Sequence, residues 1–226
     1  MQISIVLICA GMWHRPGKCE RDVQVISAFQ QDGIQVLRIE RPDKANSLTE
    51  SMLSRLTEEF DRIAATDCNA AILTGAGKVF SAGADLEEAK SGLATSPQWE
   101  RLSARIATMP CLTIAALNGT LAGGAFGMVL ACDLRVAVPG ANFFYPVMKR
   151  GFLPQPSDPR RMAALIGPAR TKMILMAGAR IDAQQALDWG LIDRIAADPV
   201  AAATELAADC LAASPDHVMA IKGLIA

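Results

Sequence analysis

The 226-residue chain carries 22 Lys and Arg against 23 Asp and Glu, a formal net charge of −1, with 51% hydrophobic and only 5% aromatic residues. Such a length suits one domain, with or without an appended helical piece, whose core is filled by Ala, Leu, Ile, Val and Met. Near-neutral charge without a basic run argues against nucleic acid, and the six cysteines and two histidines (His14, His217) show no metal-ligand spacing.

Taken in chain order, the first feature is the apolar run Ile3-Ser4-Ile5-Val6-Leu7-Ile8-Cys9-Ala10. The run faintly suggests a signal peptide, but no Lys or Arg precedes it and it is too short to cross a bilayer, so residues 1–22 read as a loosely ordered leader rather than a working signal. No later segment is long and apolar enough for a membrane span, and the cytoplasm is the expected compartment. Residues 23–29 and 34–40 read as strands joined at Gln30-Gln31-Asp32-Gly33, a hairpin signal. Residues 49–66 carry Met52, Leu53, Leu56, Phe60 and Ile63 at helical spacing, with Thr49 placed as N-cap.

A strand over 70–74 leads into Phe80-Ser81-Ala82-Gly83-Ala84-Asp85-Leu86, a glycine junction before a polar helix; a second helix is expected over 98–109. Residues 112–117 form the next strand, entering Asn118-Gly119-Thr120-Leu121-Ala122-Gly123-Gly124-Ala125-Phe126-Gly127. This second junction reads as a strand turning into a buried helix. A helix starting at Gly123-Gly124 offers unpaired N–H groups, the positive end of its dipole and no Cβ to keep an oxygen away. Another strand is expected over 133–138, then helices over 159–166, 168–177, 183–189 and 199–213, with a last one starting at Pro215. Alternating strands and helices indicate an α/β core. Cys111 and Cys132, inside apolar runs, are expected to be reduced core thiols.

Together the two junctions resemble those of the crotonase superfamily, the enoyl-CoA hydratase/isomerase family. Further matching stretches are Arg41-Pro42-Asp43-Lys44-Ala45-Asn46-Ser47-Leu48, Ala131-Cys132-Asp133-Leu134-Arg135 and Ala186-Leu187-Asp188-Trp189-Gly190-Leu191-Ile192. The resemblance implies a ClpP/crotonase-like ββα-superhelix spiral: a core over 23–190 and C-terminal helices over 191–226, a shorter tail than the family usually carries. It also implies an acyl-CoA ligand, with coenzyme A entering as part of the substrate thioester and no permanently bound cofactor. The backbone N–H groups of Ala84 and Gly124 would polarise the thioester carbonyl, and Lys44, Ala45, Ala82, Asp85, Leu86 and Gly123 would border the CoA moiety. Homotrimers, or dimers of trimers, are the implied assembly.

The resemblance also shows what is missing. The positions that match the two glutamates of family hydratases hold Gly127 and Val147, and the aspartate of some dehalogenase and isomerase branches is matched by Gln155. Neither Gly nor Val can move a proton and neutral Gln is a poor base, so ordinary hydration is not expected. Two readings stay open: a crotonase-like enzyme with other acid/base groups, or a non-catalytic acyl-CoA binder, which the stretch Tyr145-Pro146-Val147-Met148-Lys149-Arg150-Gly151 resembles. Asp158 and Tyr145 are the candidate substitutes. The competing expectations are that Asp158 caps the helix entering at Pro159, and that Tyr145 packs with its hydroxyl satisfied locally. Lys149 and Arg150 face either CoA phosphates or solvent.

Overall fold

The computed structural model describes residues 25–225, so the leader expected over 1–22, with His14, Cys9 and Cys19, lies outside the described residues. β1 (Ile26–Gln31) and β2 (Ile34–Ile39) form the expected hairpin. Asp32 and Gly33 take φ of 51° and 82° at its tip. Two consecutive left-handed residues match the twist of the flanking strands, which is why Asp-Gly sets this register. In α1 (Glu50–Ala64) the Thr49 hydroxyl accepts the Met52 N–H at 3.2 Å, the predicted cap.

The chain then repeats one unit: a long strand, a short strand, then helix. The first unit is β3 (Ala70–Gly75), β4 (Val79–Ser81), α2 (Leu86–Lys90) and α3 (Gln98–Ala107). The second is β5 (Leu112–Leu117), β6 (Thr120–Ala122) and α4 (Phe126–Leu130). The third is β7 (Leu134–Ala137), β8 (Asn142–Phe144), α5 (Val147–Arg150) and α6 (Asp158–Leu175). β9 (Ile181–Asp182), α7 (Ala183–Trp189), β10 (Arg194–Ile195), α8 (Pro199–Leu206), α9 (Ala208–Ala212) and α10 (Pro215–Ile225) complete it. The long strands make a sheet in the order β1-β2-β3-β5-β7-β10 and the short ones a second sheet, β4-β6-β8-β9. This is the expected crotonase-type α/β spiral.

Every residue of β3 is buried, because the large sheet is covered on both faces. Leu37, Leu73, Ala115 and Ala137 point into the main core, whereas Val36, Ile72, Ile114 and Val136 meet Ala202, Ala203 and Ala207. Small alanines let α8 lie close on the sheet. The matching stretch Ala131-Cys132-Asp133-Leu134-Arg135 is structural. Arg135 is buried and donates to the Leu191 and Cys132 carbonyls, and Asp133 accepts from Thr113 and from Lys222 Nζ at 2.6 Å. Burial pushes the Cys132 thiol up to about 12, as befits an inert core cysteine.

Two helix expectations need adjustment. Gly167, at φ 79° and ψ 161°, breaks α6 into the two predicted pieces without an intervening loop. The single helix expected over 199–213 is instead α8 and α9, which meet at Ala207.

Candidate functional site

The first glycine junction is stitched onto the loop preceding α1. Ala82 N–H donates to Ala45 O at 3.0 Å, Leu48 N–H to Gly83 O at 2.8 Å and Asp85 N–H to Leu48 O at 2.8 Å. Asn46 anchors this loop: it is fully buried at φ 51°, accepts the Arg41 N–H, and donates to the Ala76 and Val79 carbonyls. The bridge between Leu48 and Ala84 uses the N–H groups of Leu48 and Asp85 and passes over that of Ala84. Asp85 caps α2 through the Glu87 N–H and pairs with Arg41 Nη1 at 2.8 Å. Burial works to raise its carboxyl, but the Arg41 bond and the cap N–H groups outweigh it and hold it below its ordinary value.

The second junction follows β6, which pairs in parallel with β4, so both junctions emerge side by side. After Ala122 the chain makes one 3₁₀ turn, Gly123–Ala125, with Gly123 at φ 60°, and enters α4. At its start Gly124 lacks a carbonyl one turn back for its N–H. The two junctions nearly touch: a Cβ on Gly83 would lie 2.9 Å from Ala122 O and 3.3 Å from Gly124 N.

Beside this contact is a cavity of about 220 Å³. It is lined by Ala82, Ala84, Leu86, Gly123 and Gly124 of the two junctions and by Trp99, Tyr145, Val147 and Gln155; Arg150, Phe152 and Leu153 are also in its wall. Trp99 donates its indole N–H to Leu93 O at 2.8 Å, which fixes the ring beside Gly124. Trp99 escaped the sequence reading because it lies on the apolar face of an ordinary amphipathic helix. Lys44, Ala45 and Asp85 are outside the cavity lining: Lys44 is exposed at the end of a 3₁₀ turn, and the other two hold the loop. Lys149 is exposed on α5.

Asp158 corrects the capping expectation. It is the first residue of α6, and the N-cap position belongs to Ser157, whose N–H and hydroxyl both bind the Glu100 carboxylate reaching over from α3. The Asp158 side chain instead turns inward, fully buried, and accepts the Tyr145 hydroxyl at 3.0 Å. Its other oxygen, Oδ1, is buried without a partner. A Cβ on Gly127 would come within 2.9 Å of that oxygen, so any side chain at 127 would have to displace the carboxylate. Burial pushes the Asp158 carboxyl up to about 7; the Tyr145 hydrogen bond and Arg161 oppose this, and Glu100 adds to it. Burial, and then the Asp158 charge, push the Tyr145 phenol well above its ordinary value. Gln155 lines the cavity and donates to Ala94 O at 3.2 Å. Among the described residues no cluster of His, Cys, Asp and Glu could hold a metal ion.

The family model described as enoyl-CoA hydratase/isomerase matches residues 29–225. The chain belongs to that family. A 4-chlorobenzoyl coenzyme A dehalogenase from Arthrobacter is 34% identical over 212 residues, covering 88% of this chain and 75% of that protein. A crystal structure of enoyl-CoA hydratase from Bacillus anthracis superposes with a TM-score of 0.83 at 30% identity, covering 89% of this chain and 82% of that one. The DspI structure from Pseudomonas aeruginosa, at 27% identity, also gives 0.83, with 92% and 88% covered. Family membership thus spans both dehalogenase and hydratase relatives, and it is the local residues that must separate their chemistries.

Proposed function

We propose that this chain binds acyl-CoA thioesters and holds the thioester oxygen between the backbone N–H groups of Ala84 and Gly124. The observation that carries this reading is the near contact of Gly83 with Gly124, which brings both unpaired junctions to one wall of one cavity. Such a donor pair, at about 2.7–3.1 Å from the oxygen, acts most strongly as negative charge develops there, so enolates and tetrahedral adducts are the species it stabilises. Coenzyme A would enter with the substrate, past Lys44 and Ala45 on one side and Arg150 on the other. An acyl-CoA panel should raise the apparent melting temperature by mass action. If no acyl-CoA does so, the thioester reading fails.

Ordinary 2-enoyl-CoA hydration is not its reaction. Among the described residues no carboxylate lines the cavity: Gly127 has no side chain, Val147 is apolar and Gln155 is neutral. A positioned acid or base contributes about 10²–10⁴-fold. Crotonyl-CoA, followed by loss of its conjugated thioester absorbance, should therefore be hydrated negligibly. Turnover at an ordinary hydratase rate would overturn this. The same carboxylate-free wall favours a second reading, an acyl-CoA binder without turnover, which binding without any chemistry on the panel would select.

The reading extends to assembly as a homotrimer or a dimer of trimers in the cytoplasm. Leu224 and Ile225 on α10 are 87% and 83% exposed, with the exposed Ile221 one turn before them. Apolar surface of this kind is covered by closed symmetric assembly. Sedimentation should give a multiple of three at micromolar concentration; a monomer would count against it.

A further inference from the structure

We propose that Tyr145 and Asp158 form a proton relay for the thioester pocket, Tyr145 exchanging a proton with the substrate carbon next to the carbonyl and Asp158 storing it. The inference rests on the thioester-site reading above and adds the group that moves the proton. Tyr145 belongs to the cavity wall, while Asp158 stands behind it with no exposure. The Tyr145 hydroxyl donates to Asp158 Oδ2 at 3.0 Å. A hydroxyl has one donor and two acceptor lone pairs; the donor is spent on Asp158, which leaves acceptor capacity for a substrate proton. Stacking on Phe126, with ring centroids 5.4 Å apart and 14° between planes, holds the phenol in place.

The carboxyl behind it suits a store. Its charged and titratable neighbours are Tyr145 after β8, Glu100 from α3 and Arg161 from its own helix, while α4 carries no titratable group and places Gly127 against Oδ1. Burial dominates, and the group changes charge near neutrality, where a base is most effective. Oδ1 has no partner to lock the carboxyl in one protonation state.

In the forward step the substrate Cα–H bond breaks and its proton passes to Tyr145 Oη. The original Oη proton moves to Asp158 Oδ2, and the C–H electron pair becomes enolate charge on the thioester oxygen at Ala84 and Gly124. Both transfers run together, so Tyr145 never has to become a phenolate. The reverse step returns the proton to Cα or to a conjugated carbon, and no co-reactant is consumed. The substrate class is an acyl-CoA with a hydrogen on Cα.

The test is deuterium uptake at Cα of butyryl-CoA in D₂O, read by mass spectrometry beside thermal-shift binding of the same ligand. Wild type should exchange faster than buffer, with a rate that rises as the pH passes through about 7 and Asp158 ionises. Tyr145→Phe keeps the ring and its stacking; it should bind equally well and exchange at least about 100-fold more slowly. Asp158→Asn should remove the rise with pH. Binding without exchange above buffer, or wild-type exchange in Tyr145→Phe, overturns the relay while leaving the thioester site intact. Absence of binding overturns both, and thermal shift identifies that case.

Discussion

Asp158→Asn should gain stability relative to wild type as the pH is raised from 4 to 8. The Asp158 carboxyl has a folded value of about 7, against about 3.9 in an unfolded chain. With the folded value the higher one, the native state binds the extra proton. Stability is therefore greatest below the unfolded value, falls as pH rises through the interval, and is flat above the folded value. Three units at about 1.36 kcal/mol each amount to about 4 kcal/mol lost between pH 4 and pH 8. Because the residue is fully buried, solvent screening does not reduce this figure. Asparagine has nearly the same shape, still accepts the Tyr145 hydroxyl and never ionises. Its amide leaves a donor facing Gly127, a pH-independent cost of about 1–3 kcal/mol. The diagnostic quantity is thus the change with pH of the variant's stability relative to wild type. Urea unfolding across the range should show it grow by about 4 kcal/mol, and a constant difference would mean that Asp158 does not titrate near 7. A carboxyl kept at such a cost is typical of a functional position, where activity and stability conflict.

Much of the frame was legible because it rests on local chemistry. Asp32-Gly33 needs two left-handed residues, Thr49 is a cap at the head of an apolar stripe, and β3 and β5 are six-residue, mostly apolar runs. The second sheet was not legible. Its strands have two or three residues, too few for a periodic pattern, and they exist only through pairing with partners distant in sequence, as in Leu121 with Phe143. The glycine junctions could be located from sequence, yet their near contact follows from β4 lying against β6. Asp158 shows how local logic fails. Asp before Pro is a strong cap signal, but Glu100, 57 residues away, binds the Ser157 N–H and hydroxyl, and the freed carboxylate turns to the space that Gly127 leaves empty.

Gly83→Ala should weaken acyl-CoA binding by about 5–150-fold, since losing the two donor hydrogen bonds costs about 1–3 kcal/mol in all. At φ 88°, alanine is strained by about 1–2 kcal/mol. The methyl would also sit 2.9 Å from Ala122 O and 3.3 Å from Gly124 N, contacts made by backbone that cannot swing aside. Overpacking of this kind adds about 1–3 kcal/mol. Because Gly83 O also accepts the Leu48 N–H, the loop cannot simply withdraw from the crowding. The two junctions must separate, carrying the Ala84 and Gly124 donors apart. Gly92→Ala isolates the strain: Gly92 has φ 106° but nothing lies within 4 Å of its added Cβ. That control should lose about 1–2 kcal/mol in urea unfolding and keep its thermal shift with acyl-CoA, whereas Gly83→Ala should lose more stability and the shift as well. If Gly83→Ala binds as tightly as the control, the spacing of the two junctions does not define the ligand site, and the assignment of Ala84 and Gly124 as paired donors fails with it.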